Sequence, residues 1–251
     1  MSMPRKIRCT VETITDHGGR VYTLELKPEG VVPSFRPGQF LHLTVDDYDP
    51  AGFWSESRVF SIASSPRERQ RIRICYSVKG RYTTKMEQVL KVGGEVWIKL
   101  PYGDFVIDGG SDAVLIAGGT GISAFTAFLQ SLTPQAMPRV TLVYGARTPA
   151  LFLFQDMILN QLAAVPQFDA VFFTENEDAT FTRQLAAHPK APACNTGRIS
   201  LDAILCPPSS VLCPLSSAFY LSGPPVMLSA LSQQLLARGV PADRVRTDAW
   251  E

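Results

Sequence analysis

The sequence predicts a two-part fold, an antiparallel β-barrel or sandwich followed by an α/β domain with a doubly wound parallel sheet. Up to about residue 108, apolar and polar residues alternate in short segments such as 72–78, which is typical of strands that bury one face. After Gly109-Gly110 the apolar runs become compact, as in 113–117, and helical patterns separate them. Such runs are typical of strands buried on both faces of a parallel sheet. We therefore place one domain at residues 1–108 and a second at 109–251.

Individual elements follow from the same patterns. Three alternating segments predict strands of the first part: 22–27, 72–78 and 96–100. Four compact apolar runs predict strands of the second part: 113–117, 140–144, 170–173 and 219–221. A helix follows the last run, because Leu228, Leu231 and Leu235 recur at three- and four-residue steps and Gly239 is a typical stop. The stretch 188–217, rich in Pro, Ser and Cys, predicts a loop around one short helix.

The composition is that of an ordinary globular protein. The 251 residues are 45% apolar and 19% charged, with a formal net charge of +1. A balance so close to neutral predicts no bulk attraction to nucleic acid or to a membrane surface. No apolar run approaches the roughly 18 residues of a membrane span. No signal-peptide pattern follows Met1, so we expect a cytoplasmic protein.

The cysteines and histidines predict no metal site. An odd number of scattered cysteines in a chain of this size is typical of reduced thiols. The five cysteines are Cys9, Cys75, Cys194, Cys206 and Cys213, and the three histidines are His17, His42 and His188. They form neither a C-x-x-C pair nor the spacing of a plant-type iron–sulfur cluster. We therefore expect no protein-bound metal or cluster.

The segment Arg58-Val59-Phe60-Ser61 offers a guanidinium, an aromatic face and a hydroxyl on one short strand. An arginine fork can donate two charge-assisted hydrogen bonds to a pyrophosphate. Phe60 supplies a flat surface on which an isoalloxazine ring can stack, and the Ser61 hydroxyl suits a hydrogen bond to the flavin N5. By itself the segment is equally compatible with an ordinary barrel strand that carries one surface arginine.

Three glycine turns are candidate phosphate sites. Gly80 precedes a helix start with two hydroxyl residues, Thr83 and Thr84, although this is also a common helix cap. Gly118-Gly119-Thr120-Gly121 follows an apolar strand and opens a helix, the context that a nucleotide pyrophosphate requires. Its spacing is not the G-x-G-x-x-G fingerprint, and a tight strand-to-helix turn is the alternative. Ser222-Gly223-Pro224 repeats the design. Since ligands bind at the carboxyl ends of such strands, the last two turns predict a shared crevice.

These motifs occur in the order seen in the ferredoxin–NADP reductase superfamily, which the sequence resembles from about residue 5 to its end. Two further segments carry the resemblance, Pro37-Gly38-Gln39-Phe40 and Pro101-Tyr102-Gly103-Asp104-Phe105. The resemblance implies a six-stranded antiparallel barrel that binds FAD and a second domain that binds NADH or NADPH. It also implies hydride transfer onto FAD N5, followed by delivery of single electrons to a partner.

The resemblance assigns roles to individual residues. Arg58 would hold the FAD phosphates, Phe60 would stack on the ring and Ser61 would lie at the N5 edge. Thr83 would complete the pyrophosphate grip, and Thr120 would lie nearest the nicotinamide. The remaining residues expected to bind a cofactor are Val59, Gly80, Tyr82, Thr84, Gly118, Gly119, Gly121, Gly223 and Pro224.

Four residues would take part in the chemistry: Ser61, Ser222, Asp248 and Trp250. Ser222 stands where many relatives have a cysteine near the nicotinamide C4. The family's C-terminal acid-x-aromatic pattern matches Asp248 and Trp250, so Trp250 would shield the flavin and Asp248 would connect the site to solvent protons. Trp250 is also compatible with packing as a terminal strand residue. Phe60 replaces a commoner tyrosine, which keeps the stacking surface without the hydroxyl.

The residues after the third parallel strand favour NADH over NADPH. Relatives often place a Ser-Arg pair there to grip the 2′-phosphate of NADPH, whereas this chain has Thr174-Glu175. A carboxylate can bond the ribose 2′-hydroxyl, but it would repel a phosphate by about 4 kcal/mol at about 4 Å and an effective dielectric constant near 20. Arg147, after the neighbouring strand, is the counter-argument because it could reach a phosphate.

Nine basic residues of the first domain suggest a surface for an acidic partner: Arg67, Arg69, Arg71, Arg73, Lys79, Arg81, Lys85, Lys91 and Lys99. Such a field could steer a ferredoxin, a flavodoxin or an oxygenase component to the FAD. Alternatively, these charges only solvate one face of a sheet.

Three functions are compatible with the sequence. The preferred one is reduction of a separate iron–sulfur or flavin protein. The others are reduction of a free flavin, quinone or ferric chelate, and a non-catalytic flavin-binding subunit that senses redox state or assembles a complex.

Overall fold

A computed structural model describes residues 3–107, 109–135, 138–205 and 216–248. The described residues divide into two compact units. The first reaches to Val106 and also contains Thr126–Phe128, and the second contains the other described residues.

The first unit is a nearly closed antiparallel barrel of six strands. These are β1 (Arg5–Asp16), β2 (Val21–Pro28), β3 (Phe40–Thr44), β4 (Arg58–Ser61), β5 (Ile72–Ser77) and β6 (Glu95–Tyr102), with helix α1 (Arg81–Val89) between β5 and β6. They hydrogen-bond in the order β4-β3-β6-β1-β2-β5. The chain beyond β4 reaches the other edge strand, where the Ala63 amide donates to the Arg73 carbonyl oxygen over 2.8 Å. The predicted six-stranded barrel is confirmed.

Alternation of apolar residues builds the barrel core. Leu24 and Leu26 on β2 lie opposite Ile74 and Ile72 on β5, and all four side chains are fully buried. One glycine is required by close packing in this unit. Gly38 has φ +92°, and an added Cβ would lie 2.1 Å from the Phe105 carbonyl oxygen. The Pro-Gly segment before β3 is therefore fixed by backbone-to-backbone contact.

Replacing Glu25 with glutamine should lower the free energy of unfolding at neutral pH by about 1 kcal/mol. Burial of Glu25 opposes its ionisation, but hydrogen bonds from Arg73 and Thr13 outweigh burial and lower the pKa of its carboxyl. A lowered folded-state pKa stabilises the fold above the ordinary glutamate pKa, and this stability is lost as the pH falls through the folded pKa. Denaturant titration from pH 7 downwards should show the difference between wild type and Glu25→Gln closing in acid.

A matched control for this prediction is Glu95→Gln, because the Glu95 side chain is 61% exposed and its contact with Arg8 spans 3.5 Å. This exposed pair should contribute little at any pH. A Glu25→Gln deficit that persists unchanged below about pH 3 would contradict the linkage argument.

The second unit is a six-stranded parallel sheet with helices. Its strands are β7 (Ala113–Gly118), β8 (Val140–Ala146), β9 (Phe168–Thr174), β10 (Ala193–Thr196), β11 (Ala218–Ser222) and β12 (Val245–Asp248). Its helices are α2 (Ser123–Leu129), α3 (Gln155–Ala164), α4 (Ala179–Ala187), α5 (Asp202–Leu205) and α6 (Pro225–Ala237), with short 3-10 helices at Gly119–Ile122, Pro149–Leu151 and Ala242–Arg244. The strand order is β10-β9-β8-β7-β11-β12. The predicted parallel sheet is confirmed, and its order reverses between β7 and β11.

The helix ends follow local chemistry. The Asp178 side chain caps α4 by accepting from the amides of Thr180 and Phe181, as expected of an N-cap aspartate. Helix α6 begins with Pro225, whose missing N–H costs nothing in the first turn. Gly239, with φ +85°, follows its end. The predicted stop of α6 is confirmed.

The stretch 188–217 contains more structure than its composition predicts. It holds the expected short helix α5, but also strand β10, which pairs in parallel with Val171–Thr174 of β9. Residues Ala193–Thr196 are exposed or only half-buried. An edge strand with one neighbour can be polar, so it lacks the apolar run by which a central parallel strand is recognised. The prediction of a plain loop was wrong there.

Burial leaves the two barrel cysteines unreactive. Burial raises the pKa of Cys75 to about 12 and also raises that of Cys9. Within the described ranges, no group of three or more His, Cys, Asp or Glu side chains could hold a metal ion. Cys206 and Cys213 lie outside the described residues. Over the same ranges, no helix has both the length and the apolar character needed to cross a bilayer.

Candidate functional site

Strand β4 carries the first predicted motif at one edge of the barrel sheet. Phe60 lies opposite Leu41 of β3, and Ser61 lies opposite Phe40. The Phe60 ring is 9% exposed and meets Tyr76 edge-on, with 6.3 Å between ring centroids. Ser61 is buried and Val59 is half-buried. The aromatic ring of the motif therefore belongs mainly to the barrel core, with a small part accessible.

Arg58 is held at the barrel surface by its neighbours. Its guanidinium carbon lies 4.8 Å from the centroid of the Tyr82 ring, which is within the range of a cation–π contact. It also pairs with Glu56 at 3.2 Å and donates to the Ser57 carbonyl oxygen at 2.8 Å. An arginine fixed on an aromatic face keeps hydrogen-bond donors available to an anion.

Tyr82 supports this arrangement from helix α1. Its hydroxyl accepts from the Val45 amide and lies 3.1 Å from both the Leu43 and the Glu56 carbonyl oxygens. Burial is the main factor that raises the pKa of Tyr82, so the phenol stays protonated. Tyr82 therefore ties the segment before β4 to the start of α1.

The start of α1 is open to an anion. Its N-cap is Gly80, its first turn has no acidic residue, and an added Cβ at Gly80 would meet no atom within 4 Å. The Thr83 hydroxyl accepts from the amides of Lys79 and Gly80, so it shapes the turn. The Thr84 amide donates to the Gly80 carbonyl oxygen. A helix N-terminus whose first turn has no acidic residue is chemically suited to a phosphate.

In the second unit, the first glycine turn directly follows β7. Gly119 has φ +55°, and an added Cβ there would meet no atom within 4 Å. The buried Tyr144 donates its hydroxyl hydrogen to the Gly119 carbonyl oxygen at 3.2 Å, and the Ser123 hydroxyl donates to the Thr120 carbonyl oxygen at 2.8 Å. The turn is therefore fixed by its own unit, while the space beside Gly119 remains open.

The two predicted turns of this unit touch each other. A Cβ added at Gly121 would lie 2.3 Å from the Ser222 carbonyl oxygen, and one at Gly223 would lie 3.1 Å from the Gly118 backbone. Pro224, the N-cap of α6, has no side chain that caps this helix. The carboxyl ends of β7 and β11 meet where the strand order reverses, which is where open α/β sheets bind ligands. Only glycine permits this close contact between the two turns, because an added Cβ would occupy the space between them. We call the backbone of Gly118, Gly121 and Gly223 at this contact the glycine cradle.

Ser222 and Asp248 form a buried pair at the same edge. They lie opposite each other on β11 and β12, and each is 3% exposed. The Ser222 hydroxyl donates to Asp248 Oδ2 at 3.0 Å. The two predicted catalytic residues are thus brought together, which their separation in the sequence did not indicate. Trp250 lies outside the described residues.

The edge beyond β8, β9 and β10 carries mixed charge. Thr174 is buried, and its hydroxyl donates to the Asn176 carbonyl oxygen at 3.0 Å. Glu175 pairs with Arg198 at 3.5 Å, and the exposed Arg147 follows the adjacent strand β8. Arg198 was missed because it follows β10, in the stretch predicted as a loop. The signal that could have identified Arg198 is an exposed basic residue next to a strand end, in Thr196-Gly197-Arg198.

Four of the nine basic residues of the predicted field pair with acidic side chains. Arg71 pairs with Glu12 and Glu68, and Arg73 pairs with Glu25. Likewise Arg81 pairs with Glu56, and Lys85 with Asp46. Part of the predicted positive field is therefore neutralised within the barrel itself.

The residues present fit two phosphate-bearing ligands. In the barrel, an arginine on an aromatic face lies near a helix start whose first turn has no acidic residue. In the second unit, glycines pack backbone against backbone at the reversal of the sheet. The barrel offers a guanidinium group and backbone amides, and the second unit offers backbone amides, all of which suit phosphate oxygens.

Comparison with known proteins gives consistent results. Residues 115–233 match the model of the oxidoreductase NAD-binding domain family. A flavohemoprotein of Deinococcus radiodurans is 28% identical over 232 residues, which are 91% of this chain and 55% of that protein. The reductase component of propane 2-monooxygenase from Mycolicibacterium smegmatis is 26% identical over 251 residues, 97% of this chain and 67% of that protein. The chain thus spans between about half and two thirds of the length of these relatives.

Among solved structures, the FAD/NAD-binding domain of nitric oxide dioxygenase from Vibrio cholerae matches with a TM-score of 0.75. The match covers 97% of this chain and 98% of that chain at 20% sequence identity. At this identity the likeness supports the fold, and it extends over both units of the chain.

Proposed function

We propose that this chain is a member of the ferredoxin–NADP reductase superfamily, and that it is an FAD-dependent reductase that takes a hydride from NADH or NADPH. The observation that carries this proposal is the glycine cradle between the carboxyl ends of β7 and β11. When bound, FAD would supply the ability to accept two electrons as a hydride at N5 and to release them one at a time. The protein's own residues would bind and orient the two ligands and hold protons beside them.

The barrel residues have complementary tasks in this proposal. Arg58 neutralises phosphate charge, and Tyr82 holds its guanidinium in place. The amides at the start of α1 donate to phosphate oxygens. The accessible part of the Phe60 ring would stack on the flavin ring, and the Ser61 hydroxyl would form a hydrogen bond at the flavin N5 edge.

The second unit would position the dinucleotide. The amides of Gly119, Thr120 and Gly121 would donate to a pyrophosphate, and no acidic residue in the first turn of this segment would repel it. The Ser222 proton is directed at Asp248 Oδ2, so the Ser222 oxygen can only accept a hydrogen bond from a ligand. Asp248 thereby fixes the orientation of the Ser222 hydroxyl, which the resemblance would place near the nicotinamide.

We propose a separate iron–sulfur or flavin protein as the electron acceptor, with an oxygenase component preferred. This is supported by relatives named as the reductase component of propane 2-monooxygenase and the electron transfer component of toluate 1,2-dioxygenase. Because three of the five arginines in the predicted field pair with carboxylates, we expect docking to depend only modestly on salt. Cytoplasmic residence is part of the same proposal.

We propose NADH as the preferred donor. The support is Glu175 at the edge beyond β9, while Arg198 and Arg147 at the same edge reduce the expected preference. The negative charge of Glu175 remains unfavourable for a 2′-phosphate, and its carboxylate suits a ribose hydroxyl.

Anaerobic titration tests the proposed function. Purified protein saturated with FAD should lose its visible flavin absorbance when one equivalent of NADH is added, and should regain it with a suitable acceptor. NADPH should act with a lower kcat/KM. Protein that binds no FAD, or whose bound FAD remains oxidised with both dinucleotides, would refute the proposal.

A further inference from the structure

One carboxylate in the barrel receives two guanidinium groups. Arg81 Nη2 lies 2.7 and 2.9 Å from the two carboxylate oxygens of Glu56, and Arg58 Nη2 lies 3.2 Å from Oε1. Two positive charges thus converge on a single negative charge. This cluster of Glu56, Arg58 and Arg81 therefore has a net charge of about +1, and it lies beside the start of α1.

Tyr82 and helix α1 hold the cluster of Glu56, Arg58 and Arg81 in place, while the ion pairs among its side chains are exposed. Tyr82 supports Arg58 through its ring and holds the Glu56 backbone through its hydroxyl, while Arg81 is the first residue of α1. The side chains themselves are accessible, with exposed fractions of 82% for Arg81, 47% for Arg58 and 37% for Glu56. Ion pairs this exposed are weak and compete poorly with a multiply charged ligand.

We infer that Arg81 is a second phosphate-binding residue for FAD and that Glu56 holds the place of a phosphate group until the cofactor binds. This inference rests on the proposed function. A carboxylate and a phosphate present similar oxygen atoms to an arginine fork, so either can occupy the same donors. When the phosphates bind, the Glu56 carboxylate is released to solvent, and its remaining negative charge opposes the phosphates.

The number of charges predicts which flavin is bound. Two guanidinium groups match the two phosphates of FAD, whereas the single phosphate of FMN requires only one of them. Removal of Arg81 should therefore weaken FAD binding more than FMN binding. Removal of the Glu56 charge should strengthen FAD binding, because both guanidinium groups become available and one repulsion disappears.

The experiment measures dissociation constants of FAD and FMN for the apoprotein by flavin fluorescence. We expect Arg81→Ala to weaken FAD binding about tenfold, the scale of one charge-assisted hydrogen bond, and to weaken FMN binding less than about threefold. Glu56→Gln should tighten FAD binding about threefold to fivefold at low salt, and the gain should shrink as salt screens the charges.

Matched controls come from a second surface cluster of the same barrel, in which Arg8 contacts Glu29 at 2.9 Å and Glu95 at 3.5 Å. Arg8→Ala and Glu29→Gln make the same charge changes and should leave both dissociation constants within about twofold of wild type. Circular dichroism and thermal melting check that each variant is folded, which is expected because the changed side chains are accessible.

The outcomes are separable. Wild-type-like FAD binding by Arg81→Ala, or weaker FAD binding by Glu56→Gln, overturns the inference while the proposed function stands. Equal loss of FAD and FMN binding in Arg81→Ala also overturns it, because the residue would then not distinguish a diphosphate. Wild-type protein that binds neither flavin refutes the proposed function itself.

Discussion

Replacing Gly121 with alanine should abolish nicotinamide-dinucleotide binding and lower the stability of the second unit by about 3 kcal/mol or more. The added Cβ would lie 2.3 Å from the Ser222 carbonyl oxygen and 2.7 Å from the Gly223 amide nitrogen. Both are backbone atoms of the adjoining turn, so no side-chain rotation can relieve the contact. The carboxyl ends of β7 and β11 would have to separate, and the amides proposed to bind the pyrophosphate would move with them.

Thermal melting and the NADH dissociation constant measure the two parts of this expectation. The matched control is Gly197→Ala in the same unit, since Gly197 has φ +108° and a Cβ there would meet no atom within 4 Å. That change costs only backbone strain, about 1–2 kcal/mol, and should preserve binding. A Gly121→Ala protein with wild-type melting temperature and NADH affinity would show that the close contact of the two turns is not required.

The sequence predicts the barrel and the central parallel strands because burial dictates their patterns. Leu24 and Leu26 alternate with polar residues since only one face of β2 is buried. Residues 113–117 are continuously apolar because neighbours cover β7 on both sides and both faces. Strand β10 could not be predicted in this way, because an edge strand that is half-exposed leaves little hydrophobic signal.

The candidate site is predictable residue by residue, but its internal contacts are not. The glycine turns and Arg58 have local signatures, whereas the pairing of Ser222 with Asp248 depends on the register of β11 and β12. The same limit applies to Glu56, Arg81 and Arg198, whose significance comes from the charged groups that the fold places beside them. Local pattern indicates what a residue can do, and only packing determines which other residue it meets.

Glu175→Gln should raise the ratio of kcat/KM for NADPH to that for NADH about thirtyfold. Full repulsion between unit charges at about 4 Å is about 4 kcal/mol at an effective dielectric constant of about 20. The Glu175 side chain is 48% exposed and shares its charge with Arg198, and salt screens the remainder. We therefore expect about half of that energy, about 2 kcal/mol, which corresponds to about thirtyfold. The substitution would also release Arg198 to contact a 2′-phosphate.

Two further variants identify the source of this change. Glu177→Gln removes the same charge at the same edge, but Glu177 accepts a hydrogen bond from the Thr196 hydroxyl at 3.2 Å and has no described ion pair with an arginine, so the ratio should change about twofold or less. Adding Arg198→Ala to Glu175→Gln should leave the gain that comes from lost repulsion and remove only the further attraction that a released Arg198 would supply to a 2′-phosphate. If the ratio stays at its wild-type value in Glu175→Gln, the carboxylate does not face the 2′ position, and the preference for NADH must arise elsewhere on this edge.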